Sequence, residues 1–283
     1  MKKIFVETIG LLIALIISIA PESEASMLAY WNMNETAGTI VNDVSGNDNT
    51  GYLNNMTDSN HVTGILGNAL SFNGVDQWVD FSTSNDINKL TGNMTVEMWV
   101  NGLASNNTSD LVLIFDKSHG FVDSAGWGIQ MRPAEGEDAF FVGLGGSGAG
   151  NFLAAATNMN ILDGQWHQVV GTWDKSTIDI YIDGDLKSST PLALTQFVGN
   201  TRPLEMARSW GGGTPTRYFN GDVDETVIFD EALSADTIKS RYLNVIQQEN
   251  TVPEPASILL MGLGLSGTIP FRRRRGGGEI FTR

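Results

Sequence analysis

Residues 164–188 read GQWHQVVGTWDKSTIDIYIDGDLKS, and their alternation restricts this stretch to paired β-strands. From Trp166 to Trp173 the run is rich in Val, Thr and Trp, types that suit a pleated, half-buried surface. A polar break follows at Asp174, Lys175 and Ser176. Ile178, Ile180 and Ile182 then take one face while Asp179, Tyr181 and Asp183 take the other, the period of an antiparallel strand with one wet side. Asp183-Gly184 supplies a two-residue turn whose positive φ angles match strand twist, so residues 185–188 return alongside. Two hairpins end to end build sheet; they do not build a catalytic centre.

The same grammar recurs along the chain. Leu70 and Phe72 share one face, as do Val79 and Phe81, which leaves Trp78 and Asp80 opposite. Met94, Val96, Met98 and Val100 alternate against Thr95, Glu97 and Trp99. Further strands are expected at 111–115, 127–131, 140–144, 152–156 and 217–229, separated by Gly, Asn and Ser clusters. A short helix is expected over 234–242, with Ser234 as its N-cap and Asp236 in the positive first turn. Many short strands and one helix predict an all-β sandwich.

Specific residues carry a family resemblance. Trp166-His167-x-Val169, then Thr172-Trp173-Asp174, then Tyr181-Ile182-Asp183-Gly184 resembles the central hairpin of LamG-like domains of the concanavalin A-like lectin/glucanase superfamily. The loop Asp43-x-Ser45-Gly46-Asn47, the segment Gly67-x-Ala69-Leu70-x-Phe72-x-Gly74, and Gly221-x-x-Asp224-Glu225 with the strand, Leu233-Ser234 and helix after it, resemble the same family in the same order. The resemblance implies an antiparallel jelly-roll β-sandwich over residues 27–246, with one short helix near its C-terminal end and no second domain. It does not name a ligand.

Both ends read as addresses. A basic start, Met1-Lys2-Lys3, precedes an apolar run over residues 9–20, the layout of a signal peptide spanning 1–25 with cleavage after Ala25. Residues 247–251 read as a polar linker. Pro253-Glu254-Pro255, an apolar run over 257–271 and Arg272, Arg273, Arg274 and Arg275 follow, with a tail at 276–283. This arrangement resembles the PEP-CTERM sorting signal of Gram-negative bacteria that make extracellular polysaccharide. The resemblance implies cleavage near Pro253-Glu254-Pro255 by an exosortase-type membrane enzyme. It also implies a final place at the cell envelope, outer surface or extracellular matrix. An apolar run of this length reaches only about 22 Å as a helix, against a hydrocarbon core of about 30 Å, so a transient inner-membrane stage suits it better than a permanent anchor. The Arg cluster would stay cytoplasmic.

Composition narrows the partners. A formal net charge of −15 repels phosphate backbones, so nucleic acid is not an expected partner. The chain has no Cys, so disulfides contribute nothing to its stability outside the cell.

Candidate chemistry is sparse. Glucanases of this fold carry Glu-x-Asp-x-Glu on one strand, which places all three carboxylates on one face. The nearest match, Asp222-Val223-Asp224-Glu225, turns Glu225 the wrong way. His61, His119 and His167 are scattered without metal or triad spacing, and no catalytic residue is assigned. The resemblance implies a structural Ca²⁺ held by Asp43, Asn47 and Asp224 if the first and last strands pair; the equally weighted reading has Asp43 capping a turn and Asp224 bonding locally. Trp78, Trp127 and Trp210 are candidate glycan platforms beside core or rim roles, whereas Trp31, Trp99, Trp166 and Trp173 read as packing. The expected function is an exported, non-catalytic LamG-like module that binds or organises extracellular polysaccharide or surface protein. The alternative is a glycan hydrolase or lyase, and the distinction turns on whether two carboxylates converge on one face.

Overall fold

A computed structural model describes residues 25–81, 85–118, 124–145, 152–194, 196–211, 214–215 and 217–249. The first half of the chain supplies β1 (Met27–Trp31), β2 (Ile40–Val41), β3 (Gly51–Asn54), β4 (His61–Thr63), β5 (Asn68–Asn73), β6 (Trp78–Phe81), α1 (Asn85–Lys89), β7 (Met94–Gly102), β8 (Val112–Asp116) and β9 (Trp127–Arg132). The second half supplies β10 (Glu137–Gly143), β11 (Phe152–Thr157), β12 (His167–Trp173), β13 (Thr177–Ile182), β14 (Asp185–Pro191), β15 (Leu204–Met206), β16 (Trp210–Gly211), β17 (Thr214–Pro215), β18 (Asn220–Phe229) and α2 (Ala235–Glu249). Two antiparallel sheets form the sandwich. The first runs β14-β13-β12-β7-β18-β5-β4, with β1 also on β18; the second runs β11-β10-β9-β8-β15-β6-β3-β2.

The opening hairpins fold as their alternation predicts. Ile178, Ile180 and Ile182 are fully buried in the core. Asp183 and Gly184 sit at φ 55° and 74°, the left-handed turn that returns β14 beside β13. At the polar break Asp174 Oδ1 accepts N–H bonds from Ser176 at 2.8 Å and Thr177 at 2.7 Å. Gly171 of β12 is Gly because the Phe140 ring from the other sheet fills its side-chain position: an added Cβ would lie 2.2 Å from it. Between the sheets Trp31, Phe81, Phe115 and Trp127 stack in sequence, with ring centroids 4.2, 5.9 and 5.8 Å apart.

The first and last strands do pair: Trp31 lies opposite Thr226 and Met27 opposite Phe229. Ser234 caps α2 as expected, its Oγ accepting from Thr237 N at 3.2 Å. The helix is longer than expected. Residues 247–249, read from sequence as linker, are its last turn. It lies on the outer face of the first sheet, where Ile238 packs on Val170 and Tyr181. Polar residues on the outer face of β7 are therefore buried as well: Thr95 is 0 % and Glu97 3 % exposed. Residues 1–24, read from sequence as a signal peptide, and Pro253-Glu254-Pro255, the apolar run and the Arg cluster lie outside the described residues. Among the described residues no helix is long and apolar enough to cross a membrane.

His167, set aside above for lack of a catalytic partner, turns out to tie the first sheet together. Its Nδ1 lies 2.9 Å from Asp183 Oδ2 and its Nε2 3.2 Å from Asp163 Oδ1. The hydrogen bond with Asp183 raises the imidazole above its ordinary 6.5, burial opposes this, and the Asp183 and Asp163 charges add to the rise. Neighbouring Asp138 is pushed up to about 8 by burial. A raised folded value gives stability that is whole below the unfolded value and is lost as pH rises through the folded one. Melting temperature is therefore expected to fall from about pH 6 to about pH 8, with a shallower fall in His167→Gln. A thermal melt series across that range checks this; equal slopes in both proteins would contradict it.

Candidate functional site on the outer face of the second sheet

Among the described residues no helix covers the outer face of the second sheet, and there the fold lines up acidic side chains from strands far apart in sequence. Along one cross-strand row Gly128 stands opposite Asp116, Asp116 opposite Glu205, Glu205 opposite Asp80, Asp80 opposite Tyr52, and Tyr52 opposite Ile40. Adjacent strands lie about 4.8 Å apart, so these carboxylates are close neighbours. Their inward-facing companions explain the geometry: Phe115, Leu204, Met206, Val79 and Phe81 all fill the core.

Like charges directly opposite each other are unfavourable in a sheet, and the structure offsets them. Arg208 donates from Nε to Glu205 Oε2 at 3.1 Å and from Nη2 to Glu205 Oε1. Its guanidinium lies 4.0 Å above the centre of the Trp78 ring, and Trp78 in turn leans on Tyr218 at 6.4 Å. Ala207, at φ 65°, makes the left-handed turn between β15 and Arg208. Asp116 Oδ1 accepts the Ser118 N–H at 2.8 Å. Burial pushes the Asp116 carboxyl up to about 7, against hydrogen bonds from Ser118 and Ser209, and the Glu205 charge adds to the rise. Asp80 is raised too, by burial first and then by Glu205, with Arg208 opposing. Accessibility differs along the row: Asp116 and Glu205 are each 3 % exposed, whereas Tyr52 is 51 % exposed. The face therefore presents an open aromatic ring and a half-buried carboxylate at Asp80, backed by a buried, paired charge cluster.

Of the residues singled out from sequence, Trp78 lies on this face beside Asp80, as expected. Trp127 does not. It is 1 % exposed and packs edge-on to Phe115 in the core, so it is no ligand platform. Trp210 lies in β16, paired with Pro215, two residues beyond Arg208. The metal residues are not brought together. Asp43 Oδ1 accepts from Tyr30 N at 3.0 Å and Ser45 N at 2.9 Å, while Oδ2 accepts from Asn49 N at 3.0 Å and Asn49 Nδ2 at 2.8 Å. Burial works against ionisation there, but the bonds from Ser45, Tyr30 and Asn49 win and hold the carboxyl below its usual range. Asn47 donates its amide to the Met27 and Leu28 carbonyls at 2.9 and 3.1 Å. Asp224 sits along β18 from Phe229, the partner of Met27, at a distance on the order of 15 Å by strand rise. There it accepts from Leu66 N at 3.1 Å, and burial pushes it up to about 8. This set does not fit a Ca²⁺ ion as placed, because both Asp43 oxygens accept bonds from Tyr30, Ser45 and Asn49, Asn47 is turned to donate its amide to β1 carbonyls, and Asp224 is remote with burial disfavouring its charged form. Among the described residues no three His, Cys, Asp or Glu side chains group to hold a metal.

The comparisons with known proteins agree with the fold. The profile of the concanavalin A-like lectin/glucanases superfamily matches residues 73–239. The chain belongs to that superfamily. The PEP-CTERM protein-sorting motif matches residues 251–275, so the C-terminal segment carries the signal of the exosortase export pathway. A Non-toxic nonhemagglutinin of Paraclostridium bifermentans is 25 % identical over 231 residues, 80 % of this chain but only 18 % of that protein's length. Domain 4 of AbnA, a GH43 extracellular arabinanase from Geobacillus stearothermophilus, solved in complex with arabinotriose, superposes with a TM-score of 0.58 at 19 % identity, covering 77 % of this chain and 98 % of that one. The binding domain of Botulinum neurotoxin DC, solved with rat synaptotagmin II, gives 0.59 at 14 % identity, with 78 % of this chain and 52 % of that chain covered.

Removing Arg208 strands a buried carboxylate. Arg208→Met is expected to cost about 3–5 kcal/mol in urea unfolding, and adding Glu205→Gln to it should recover most of that loss. A double variant as unstable as the single one would show that the pair is not what Arg208 supports.

Proposed function

We propose that this protein is an exported, non-catalytic binding module that holds a neutral extracellular glycan on the outer face of its second sheet. The observation that carries this reading is the patch made by Tyr52 of β3 with Asp80 and Trp78 of the adjacent β6. An exposed aromatic ring offers a stacking surface for a sugar's C–H face, and a half-buried carboxylate accepts its hydroxyls. The net charge of −15 disfavours an acidic polymer. Solved neighbours of the same fold include a domain complexed with arabinotriose and one complexed with a protein, and the aromatic–carboxylate row favours the glycan. The protein would work at the outer surface or in the extracellular matrix, after processing by an exosortase-type enzyme.

A glycan array on the protein should return neutral oligosaccharides, and Tyr52→Ala should weaken the best of them about tenfold, or about 1.4 kcal/mol. Unchanged binding in Tyr52→Ala would remove this face from consideration. Replacing Pro253, Glu254 and Pro255 together by Ala should leave the C-terminal segment attached in a host with the pathway, seen as a heavier mature protein; a normal mature mass would refute the cleavage reading.

The hydrolase reading has one observation in its favour. Asp116 and Glu205 stand opposite each other on adjacent strands, and a close pair of carboxylates is what retaining glycosidases use. Against it, Glu205 is committed to Arg208, and neither carboxylate reaches solvent. Release of reducing ends from an array-positive glycan, abolished by Asp116→Asn, would favour the enzyme.

A further inference from the structure

Helix α2 has its main anchors in its first half. Ile238 packs on Val170 and Tyr181, and Lys239 donates to Asp185 Oδ1 at 2.7 Å and to the Asp183 carbonyl at 3.2 Å. Arg241 donates to Glu97 Oε2 at 2.5 Å, and the Tyr242 ring stacks on Trp99 with centroids 5.6 Å apart. Past Tyr242 the character changes. No side chain from Leu243 to Glu249 is fully buried, and Leu243 is 52 % exposed. Asn244, Val245 and Gln248 stand over a cavity of about 260 Å³ whose far wall includes Glu97 and Trp99. The last turn holds no basic residue, and Glu249 sets a negative charge at the negative end of the helix dipole.

This looser end is the one that leads to the sorting signal. Only Asn250, Thr251 and Val252 separate Glu249 from Pro253-Glu254-Pro255, and the apolar run starts at Ser257. Three residues reach about 10 Å when fully extended. Two sheets about 10 Å apart with a helix about 10 Å across on one face make a body wider than that tether. A membrane enzyme cutting at the motif would have to work hard against the surface of the folded domain. Unwinding residues 243–249 lengthens the tether by about 13 Å, because each residue advances about 1.5 Å in a helix and about 3.4 Å when extended.

We propose that the last two turns of α2, residues 243–249, unwind to deliver the sorting motif to the processing enzyme, so that the stability of these turns sets the rate of C-terminal cleavage. The proposal rests on cleavage near Pro253-Glu254-Pro255 as read above. Terminal turns with few buried side chains open at little cost in free energy. The anchors up to Tyr242 keep the rest of α2 on the sheet while they do, so the domain stays folded during processing. One helix thereby carries two duties, its first half holding the sandwich and its second half serving the enzyme.

Pulse-chase in a host with the pathway, following loss of the C-terminal segment, tests this. Gln247→Pro breaks the last turns without touching the anchors and should shorten the half-time of cleavage about threefold or more. Asn244→Ala combined with Glu249→Arg raises helix propensity and reverses the charge at the helix end, and should lengthen the half-time about threefold. Three Gly-Ser pairs inserted after Glu249 supply the missing reach and should erase the difference between the two variants. Equal half-times in wild type and both variants overturn the proposal and leave the cleavage reading standing, whereas a wild-type protein that keeps its C-terminal segment overturns both. A difference that survives the insertion shows that the substitutions act on recognition by the enzyme, and overturns the proposal too. If Gln247→Pro lowers the melting temperature, amide hydrogen exchange on the wild-type protein decides. Amides 246–249 should then exchange about tenfold or more faster than amides 239–242, and equal protection would refute the unwinding.

Discussion

Strand β7 is pinned on both of its faces, and most of the molecule's order follows from that. Its inner side, Met94, Val96, Met98 and Val100, is fully buried against the second sheet. Its outer side holds the helix. Thr95 Oγ1 donates to the Glu231 carbonyl at 2.8 Å and accepts from Leu233 N at 2.9 Å, which fixes the chain just before α2 begins. Glu97 then holds Arg241 almost two turns along the helix. Because β12 and β18 flank β7 in register, fixing one strand fixes the centre of the first sheet.

The two outer faces consequently have different fates. On the first sheet a helix covers polar side chains, so each must find a protein partner or leave an atom unpaired. On the second sheet no helix intervenes among the described residues, and charge neutralisation falls to Arg208, laid between Trp78 and Glu205. A guanidinium suits that place because it can stack on a ring and bond a carboxylate in its own plane. The acidic row is tolerable only because its central member is paired and Asp116, pushed up to about 7, carries part of a proton at neutral pH.

The fold was legible because it is written in period-two alternation, which local sequence displays. Ile178, Ile180 and Ile182, and the Asp183-Gly184 turn, needed nothing beyond their own neighbours. For Trp127 the core alternative is the one local sequence supports: Ile129 and Met131 share its face at two-residue steps, and that face is the core. The acidic row was not legible. It depends on the strand order β8-β15-β6-β3, which brings residues 116, 205, 80 and 52 side by side, and no local pattern encodes such an order. A search for paired carboxylates along one strand passes over a pair made across two. Where the metal candidates lie relative to one another was not legible either, for a related reason. The candidates meet only if the first and last strands pair in the right register, and the observed pairing sets Asn47 and Asp224 at different heights.

Export bears on how this chain is stabilised. With no Cys, it gains nothing from an oxidising compartment, so its cohesion rests on the inter-sheet core and on buried polar groups. Burial raises Asp116, Asp138 and Asp224 alike, to about 7, 8 and 8. Each is most comfortable protonated, and each loses stability as pH climbs toward its folded value, the same direction as His167. A fold built this way tolerates mild acid, where many proteins lose their carboxylate pairs. The exposed carboxylates keep the surface anionic under those conditions, so solubility and stability are carried by different sets of acidic residues.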